Sequence, residues 1–256
     1  MISRTEDVPS PLTTREVLAT LAHELRDPLG AVLFALETLP AAVDPDVRRA
    51  FSTVQHQARR AARIIDDLFD LCAASRDQLS LHKEVVELAA VVEGAIETTA
   101  HLLAVRGHRL TVSLTTSPML IFADPLRLEQ VLTNLLANAA KYTDPGGDIR
   151  LTADAEAGQI ILRVQDNGRG IASDLLPRIF DRFWQAPGKN MASGLGLGLA
   201  LVKSLVEMHG GNVAARSDGP GTGTELIVRL PDCSDDCRTI EPPCAPRSPL
   251  PSTTST

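Results

Sequence analysis

The sequence predicts an α+β protein in two parts: a helical hairpin at residues 13–76 that pairs into a dimeric four-helix bundle, then an α/β sandwich at residues 77–231. Three observations carry this. Apolar residues recur at steps of three and four as far as Cys72, short alternating runs take over from about residue 79, and no apolar period survives beyond Asp232. With 256 residues and 44% hydrophobic content, the chain can bury a core of real size.

Residues 1–12, with Pro9 and Pro11, read as a flexible leader, and Thr13 or Thr14 is placed to cap the first helix. That helix runs to about Leu39. Its Leu18, Leu21, Ala22, Leu25, Leu29, Val32 and Leu36 share one face, which leaves His23 pointing about 140° away from Leu18 and therefore outward. Pro28 removes a backbone donor and crowds the carbonyl of Glu24, so a bend is expected just after the histidine. Beyond the turn PAAVDPD, Val47, Phe51, Val54, Ala58, Ala61, Ile65, Leu68 and Cys72 keep a seven-residue repeat. One hairpin cannot cover so much apolar edge by itself; a homodimer is the economical solution, the other being a monomeric hairpin resting on the next domain.

In the second part LHKEVVEL, RLTVSL, DIRLTAD, QIILRVQD, NVAARSD and TELIVRL read as strands, with helices near residues 89–105, 125–141 and 197–209. Ala157 and Gly158 mark a hairpin turn. The succession suggests a mixed sheet with helices on one face. The segment at residues 232–256, rich in Pro, Ser and Thr, reads as a disordered tail.

A net charge of −7 and the lack of any basic block argue against nucleic-acid binding driven by bulk attraction to phosphate. The opening MISRTEDVPSPLTTRE has no apolar centre, and no run of eighteen apolar residues occurs, so the sequence is read as cytoplasmic and without a membrane span. Cys233, Cys237 and Cys244 sit in the tail with no histidine after them, which favours free thiols over a zinc site.

Four stretches carry chemistry. In LEQVLTNLLANAAKYT, Asn134, Asn138 and Lys141 share a helix face, the asparagines offering neutral oxygens to a magnesium ion and the lysine a charge to phosphates. In VQDNGRGI, an apolar strand ends in Asp166, able to accept from an exocyclic amine, while Gly168 and Gly170 let backbone approach a flat ring. In SGLGLGLALVK, Gly194, Gly196 and Gly198 lead into a helix whose first amides would face an anion. Neither G-x-G-x-x-G, which would need glycine where Leu199 stands, nor G-x-x-x-x-G-K-[ST] is present. In IFDRFWQ, Phe180, Phe183 and Trp184 would anchor one end of a flap formed by APGKNMAS. Taken singly, these stretches read equally as a polar stripe, a turn and an aromatic core cluster.

The order HELRDPL, NLLANAAKYT, DNGRGI, FDRFW, GLGLGLALVK and GTGTELIVRL resembles the H, N, G and F boxes of sensor histidine kinases, over roughly residues 13–231. The resemblance implies a Bergerat-type ATP-binding domain of the GHKL superfamily. It also implies that His23 is the phosphoacceptor, that Glu24 is its neighbouring base, and that the phosphate goes on to a response regulator receiver domain. By the same resemblance Asn138 is the Mg2+ ligand with Asn134 beside it, Lys141 lies near the phosphates of ATP and Tyr142 against the adenine. Asp166 would read the adenine amino group, Gly168 and Gly170 shape that pocket, and Gly194, Gly196 and Gly198 line the phosphates. Two positions depart from the pattern. Asp27 stands where many members have Thr or Asn, and an ionised carboxylate there would repel an acyl phosphate, which implies weak dephosphorylation of the regulator. Gln185 replaces a frequent basic residue, a role that Lys189 of the flap could take. No sensor or receiver domain fits in this length, so a sensor or activating partner supplied in trans is expected. The runner-up reading is a nucleotide-binding dimeric scaffold that holds a regulator without efficient phosphotransfer.

Overall fold

The computed structural model describes residues 79–115, 118–185 and 196–232 without a break, together with individual positions between 25 and 70. His23, Glu24, Asp27, Pro28, Lys189, Gly194 and the tail cysteines lie outside the described residues. Between Leu25 and Asp70 the described positions are helical, as the three-and-four spacing requires. Leu25, Val32, Val47 and Val54 are exposed among them, whereas Ala58 is buried.

The second part is built from seven strands and three helices. They are β1 (Glu84–Glu87), α1 (Leu88–Val105), β2 (Arg109–Leu114), β3 (Leu120–Ala123), α2 (Pro125–Tyr142), β4 (Asp148–Glu156), β5 (Gln159–Asp166), α3 (Gly198–Met208), β6 (Asn212–Arg216) and β7 (Thr224–Pro231), with a 3-10 turn at Leu176–Arg178. Five strands form one sheet in the order β2-β4-β5-β7-β6, in which only the β2–β4 pair is parallel. Strands β1 and β3 make a separate antiparallel ribbon that pairs Val86 with Ile121. The four-residue LIFA that forms β3 was not among the expected strands. Its residues are all apolar, so no polar alternation marks it, while pairing with β1 and burial of Ile121 and Ala123 hold it extended.

Alternation along β4 sends Ile149, Leu151 and Ala153 inward and Arg150, Thr152 and Asp154 outward. One face of the sheet is therefore apolar and carries the helices, and the other is polar. On that polar face Arg163 pairs with Asp154 at 2.9 Å. Ala157 and Gly158 turn β4 into β5 with φ of 50° and 75°, the left-handed pair that a two-residue hairpin requires. By length and composition, with mean hydropathy 1.4, α1 is apolar enough to cross a membrane. Here Leu88, Val91, Val92, Ala95 and Leu103 place one face of it in the domain core.

Helix α2 starts at a tightly held corner. Asp124 caps it by accepting from the Arg127 amide at 3.1 Å, Pro125 occupies the first turn, and the second carboxylate oxygen accepts from the His82 amide at 3.0 Å. The Asp124 amide in turn donates to Nε2 of buried His209 at 3.1 Å, and His209 Nδ1 donates to the Leu205 carbonyl at 2.8 Å. These two bonds fix the neutral tautomer and tie the end of α3 to the start of α2. Lys83 reaches the same end of α3, donating to the Met208 carbonyl at 3.0 Å.

Burial pushes the His209 pKa below its ordinary 6.5; the Leu205 carbonyl and Asp124 oppose this, and Lys83 adds to it. The unfolded chain therefore takes up the proton first. Stability is full above about pH 6.5 and falls as the pH drops toward the folded-state value. Thermal melts between pH 7.5 and 5.5 will show this loss. A His209→Gln protein will be less stable at pH 7.5 by about 1–3 kcal/mol and will show a shallower decline with acid. Parallel pH curves for the two proteins would contradict the assignment.

Candidate functional site

The site is assembled around α2. Its apolar side, Leu128, Val131, Leu132, Leu135, Leu136 and Ala139, is buried in the core. That rotation leaves Asn134, Asn138 and Lys141 half-buried on one stripe at the core's edge. Asn134 turns its amide back to donate to the Gln130 carbonyl at 3.0 Å, which leaves its oxygen facing the other way. The Lys141 ammonium lies 4.8 Å from the centre of the Tyr142 ring, so these two predicted residues sit together.

The beginning of α3 packs against this stripe. A Cβ on Gly198 would stand 2.9 Å from the Asn134 oxygen, and the Asn138 amide lies 4.0 Å from the same point. A side chain here would have to displace the Asn134 amide, so glycine leaves that amide beside the start of α3. No described side chain caps α3, so its first amides remain available as donors. Gly196, at φ 71°, carries the chain into the helix directly over Trp184. Its carbonyl accepts from the Phe183 amide at 3.0 Å, which pins the two ends of the segment between them to each other.

Around that anchor the aromatic residues divide. Phe180 and Trp184 pack on the core as expected, whereas Phe183 is exposed. The reason is its backbone: with φ of 62°, a rare value for an aromatic residue, the Phe183 side chain is turned away while its amide faces Gly196.

At the other end of α2, Asp166 closes β5 and is buried. One of its carboxylate oxygens accepts from the Gly168 amide at 2.8 Å. Burial raises its pKa from the ordinary 3.8, and backbone hydrogen bonds from Gly168 and Thr224 oppose the rise. A buried carboxylate with unused acceptor capacity suits a ligand that brings its own N–H donors. Gly168 lies under the end of α2, where a Cβ would come within 2.8 Å of the Thr143 Cα. The adjoining Arg169 amide donates to the Tyr142 carbonyl at 3.1 Å. Gly170, at φ 63°, passes beneath the Gly219 carbonyl.

Sequence reasoning missed the second layer of this pocket. Thr224 pairs with Asp166 across β5 and β7, the Gly223 amide donates to the Gly168 carbonyl at 3.0 Å, and the Ser217 hydroxyl accepts from the Ile171 amide at 2.9 Å. The run GTGT was the available signal, since closely spaced glycines mark a place where two backbones meet. Arg106 gave no signal. It donates to the carbonyls of Ala140, Lys141 and Thr143 at 3.2, 3.3 and 3.4 Å and so closes the C-terminus of α2.

Among the described residues no group of three His, Cys, Asp or Glu side chains could hold a metal ion by itself. Magnesium does not need one. It binds through one or two protein oxygens plus substrate phosphates and water, a donor set that the Asn138 amide beside the α3 N-terminus fits.

Comparison with known proteins agrees with this geometry. Residues 13–72 match the His Kinase A (phospho-acceptor) domain, and residues 123–234 match the histidine kinase-, DNA gyrase B-, and HSP90-like ATPase domain. The sensor protein SrrB of Staphylococcus aureus strain MRSA252 is 31% identical over 222 residues, covering 85% of this chain and 38% of its own. The chain thus spans well under half the length of that relative. Among solved structures, full-length ShkA in complex with AMPPNP aligns with a TM-score of 0.71 and 29% identity, over 86% of this chain and 46% of the other. The Acinetobacter baumannii histidine kinase AdeS has the same fold, with a TM-score of 0.60 and 24% identity over 82% of this chain and 98% of its own.

The tight approach at Gly168 gives a direct test. Gly168→Ala forces the glycine loop away from α2, and it will weaken ATP binding at least about tenfold while costing about 1–3 kcal/mol of stability. Calorimetric titration with ATP and a thermal melt read the two effects. Unchanged affinity would show that the loop does not border the nucleotide.

Proposed function

We propose, for a chain that belongs to the histidine kinase family, that it is an ATP-dependent protein-histidine kinase which phosphorylates itself on His23. The phosphoryl group then passes to an aspartate of a response regulator receiver domain. The observation that carries this reading is the arrangement along α2: Asn134 and Asn138 face the uncapped start of α3, and buried Asp166 lies beneath Gly168 beyond the other end. A polar phosphate end and a buried, amine-reading end are what an adenine nucleotide requires.

In this reading Asp166 accepts from the adenine amino group, with Gly168 and Gly170 shaping the walls and Tyr142 against the ring. Asn138, with Asn134 beside it, holds the Mg2+ ion, which when bound offsets negative charge on the phosphates. Lys141, the Gly196 amide and the first α3 amide at Gly198, continued by Gly194, line the phosphate chain. His23, neutral near pH 7, attacks the γ-phosphorus in line through a ring nitrogen lone pair. A nitrogen–phosphorus bond forms, the bond to the β–γ bridging oxygen breaks, and ADP leaves. Glu24 accepts the proton that the imidazole gives up. Exposed Leu25, Val32, Val47 and Val54 on the helical part supply apolar surface for a homodimer.

Purified protein incubated with γ-labelled ATP and Mg2+ tests the reading. Wild type will acquire acid-labile, alkali-stable label, and His23→Gln and Asn138→Ala will not. ATP binding with no label in wild type would favour the non-transferring scaffold instead.

A further inference from the structure

We propose that Asp70, Arg127 and Gln130 form a clasp between the phosphoacceptor hairpin and α2, and that Asp70 is a positioning residue for autophosphorylation. The inference rests on the kinase reading and goes beyond it, because none of the three residues touches nucleotide in that reading.

Asp70 ends the helical positions of the first part and is only 5% exposed. Its Oδ2 accepts from Arg127 Nη1 at 2.7 Å and from Gln130 Nε2 at 3.0 Å. Arg127 Nη1 also donates to the Gln130 carbonyl oxygen Oε1 at 2.8 Å, so the three side chains close a ring of hydrogen bonds. The surface pairs Arg109–Asp148 and Lys203–Glu207, by contrast, are exposed on both sides. A buried carboxylate depends on its partners, and losing one leaves it desolvated and unpaired.

The location of the clasp gives it a role. Residues 127, 130, 134, 138 and 141 recur at steps of three and four, so at 100° per residue they occupy one narrow stripe of α2. Arg127 and Gln130 are thus the first turn of the same stripe whose later turns carry Asn134 and Asn138. The hairpin end is held on the phosphate-facing side of α2, about 16 Å along the axis from Asn138. Gln130 contacts both ends of this run: its side chain holds Asp70, and its carbonyl accepts from the Asn134 amide. Phosphoryl transfer to a histidine on a separate element demands that the two elements meet in a fixed register, and errors of an ångström cost orders of magnitude. The clasp supplies that register without entering the reacting site.

Asp70→Ala tests this, because it removes the one oxygen that accepts from both Arg127 and Gln130. Two readouts are taken on the full chain. Hydrogen exchange at residues 65–70 will rise at least about tenfold. The rate of label incorporation at saturating ATP will fall at least about tenfold, with ATP affinity and melting temperature unchanged. The exchanged pair Asp70→Arg with Arg127→Asp will recover most of the rate, an outcome that a purely structural defect would not give. Unchanged hydrogen exchange overturns the clasp. Raised exchange with an unchanged or faster rate overturns the positioning role. Should wild type acquire no label, the kinase reading fails and the positioning role falls with it, while exchange still decides whether the clasp exists.

Discussion

Burial of Leu128, Val131, Leu132, Leu135 and Leu136 under the sheet fixes the rotation of α2 about its own axis, and the functional geometry depends on that single angle. At 3.6 residues per turn the apolar face leaves one adjoining stripe for polar side chains. Asn134, Asn138 and Lys141 take the later part of that stripe, and Arg127 and Gln130 the first turn. A half-turn rotation would put the asparagines in the core and the leucines against the start of α3. The large apolar side dominates the energetics, since each fully buried leucine contributes about 1.5–3 kcal/mol, and the polar stripe is positioned as a consequence.

The two ends of α2 are secured by different means. At its start, Asp124 binds the Arg127 amide and the His82 amide while its own amide is taken by His209, so that α3, β1 and α2 share one corner. At its end, Arg106 draws together three carbonyls, and the Gly168 loop slides beneath. Both arrangements keep α2 in place beside the corner where the Phe183 amide donates to the Gly196 carbonyl.

Much of this was legible in the sequence. Apolar periodicity located all three helices and six of the seven strands of the second part; β1, only four residues long, was found inside the longer run LHKEVVEL. Asn134, Asn138 and Asp166 could be singled out by the helical spacing of the asparagines and by the place of Asp166 at the end of an apolar strand. The unseen parts share another character. Strand β3 is uniformly apolar and shows no alternation, and Arg106 and Ser217 act across long sequence separations on backbone groups, which leave no pattern in composition. Phe183 departs from the reading of IFDRFWQ as an aromatic anchor, in which Phe180 and Trp184 do pack on the core, because nothing in residue type announces a left-handed backbone. The link from Asp70 to Arg127 was equally invisible, as 57 residues separate the partners.

The most direct test of this account is to titrate ATP into wild type and Asn138→Ala, with and without Mg2+, alongside a thermal melt of each protein. If the apolar face sets the fold and the polar stripe only reads the phosphates, Asn138→Ala will lose the gain in affinity that Mg2+ brings. It will keep its metal-free affinity and its melting temperature. An Asn138→Ala protein that retains the full Mg2+ effect, or that loses affinity only together with stability, would contradict the account.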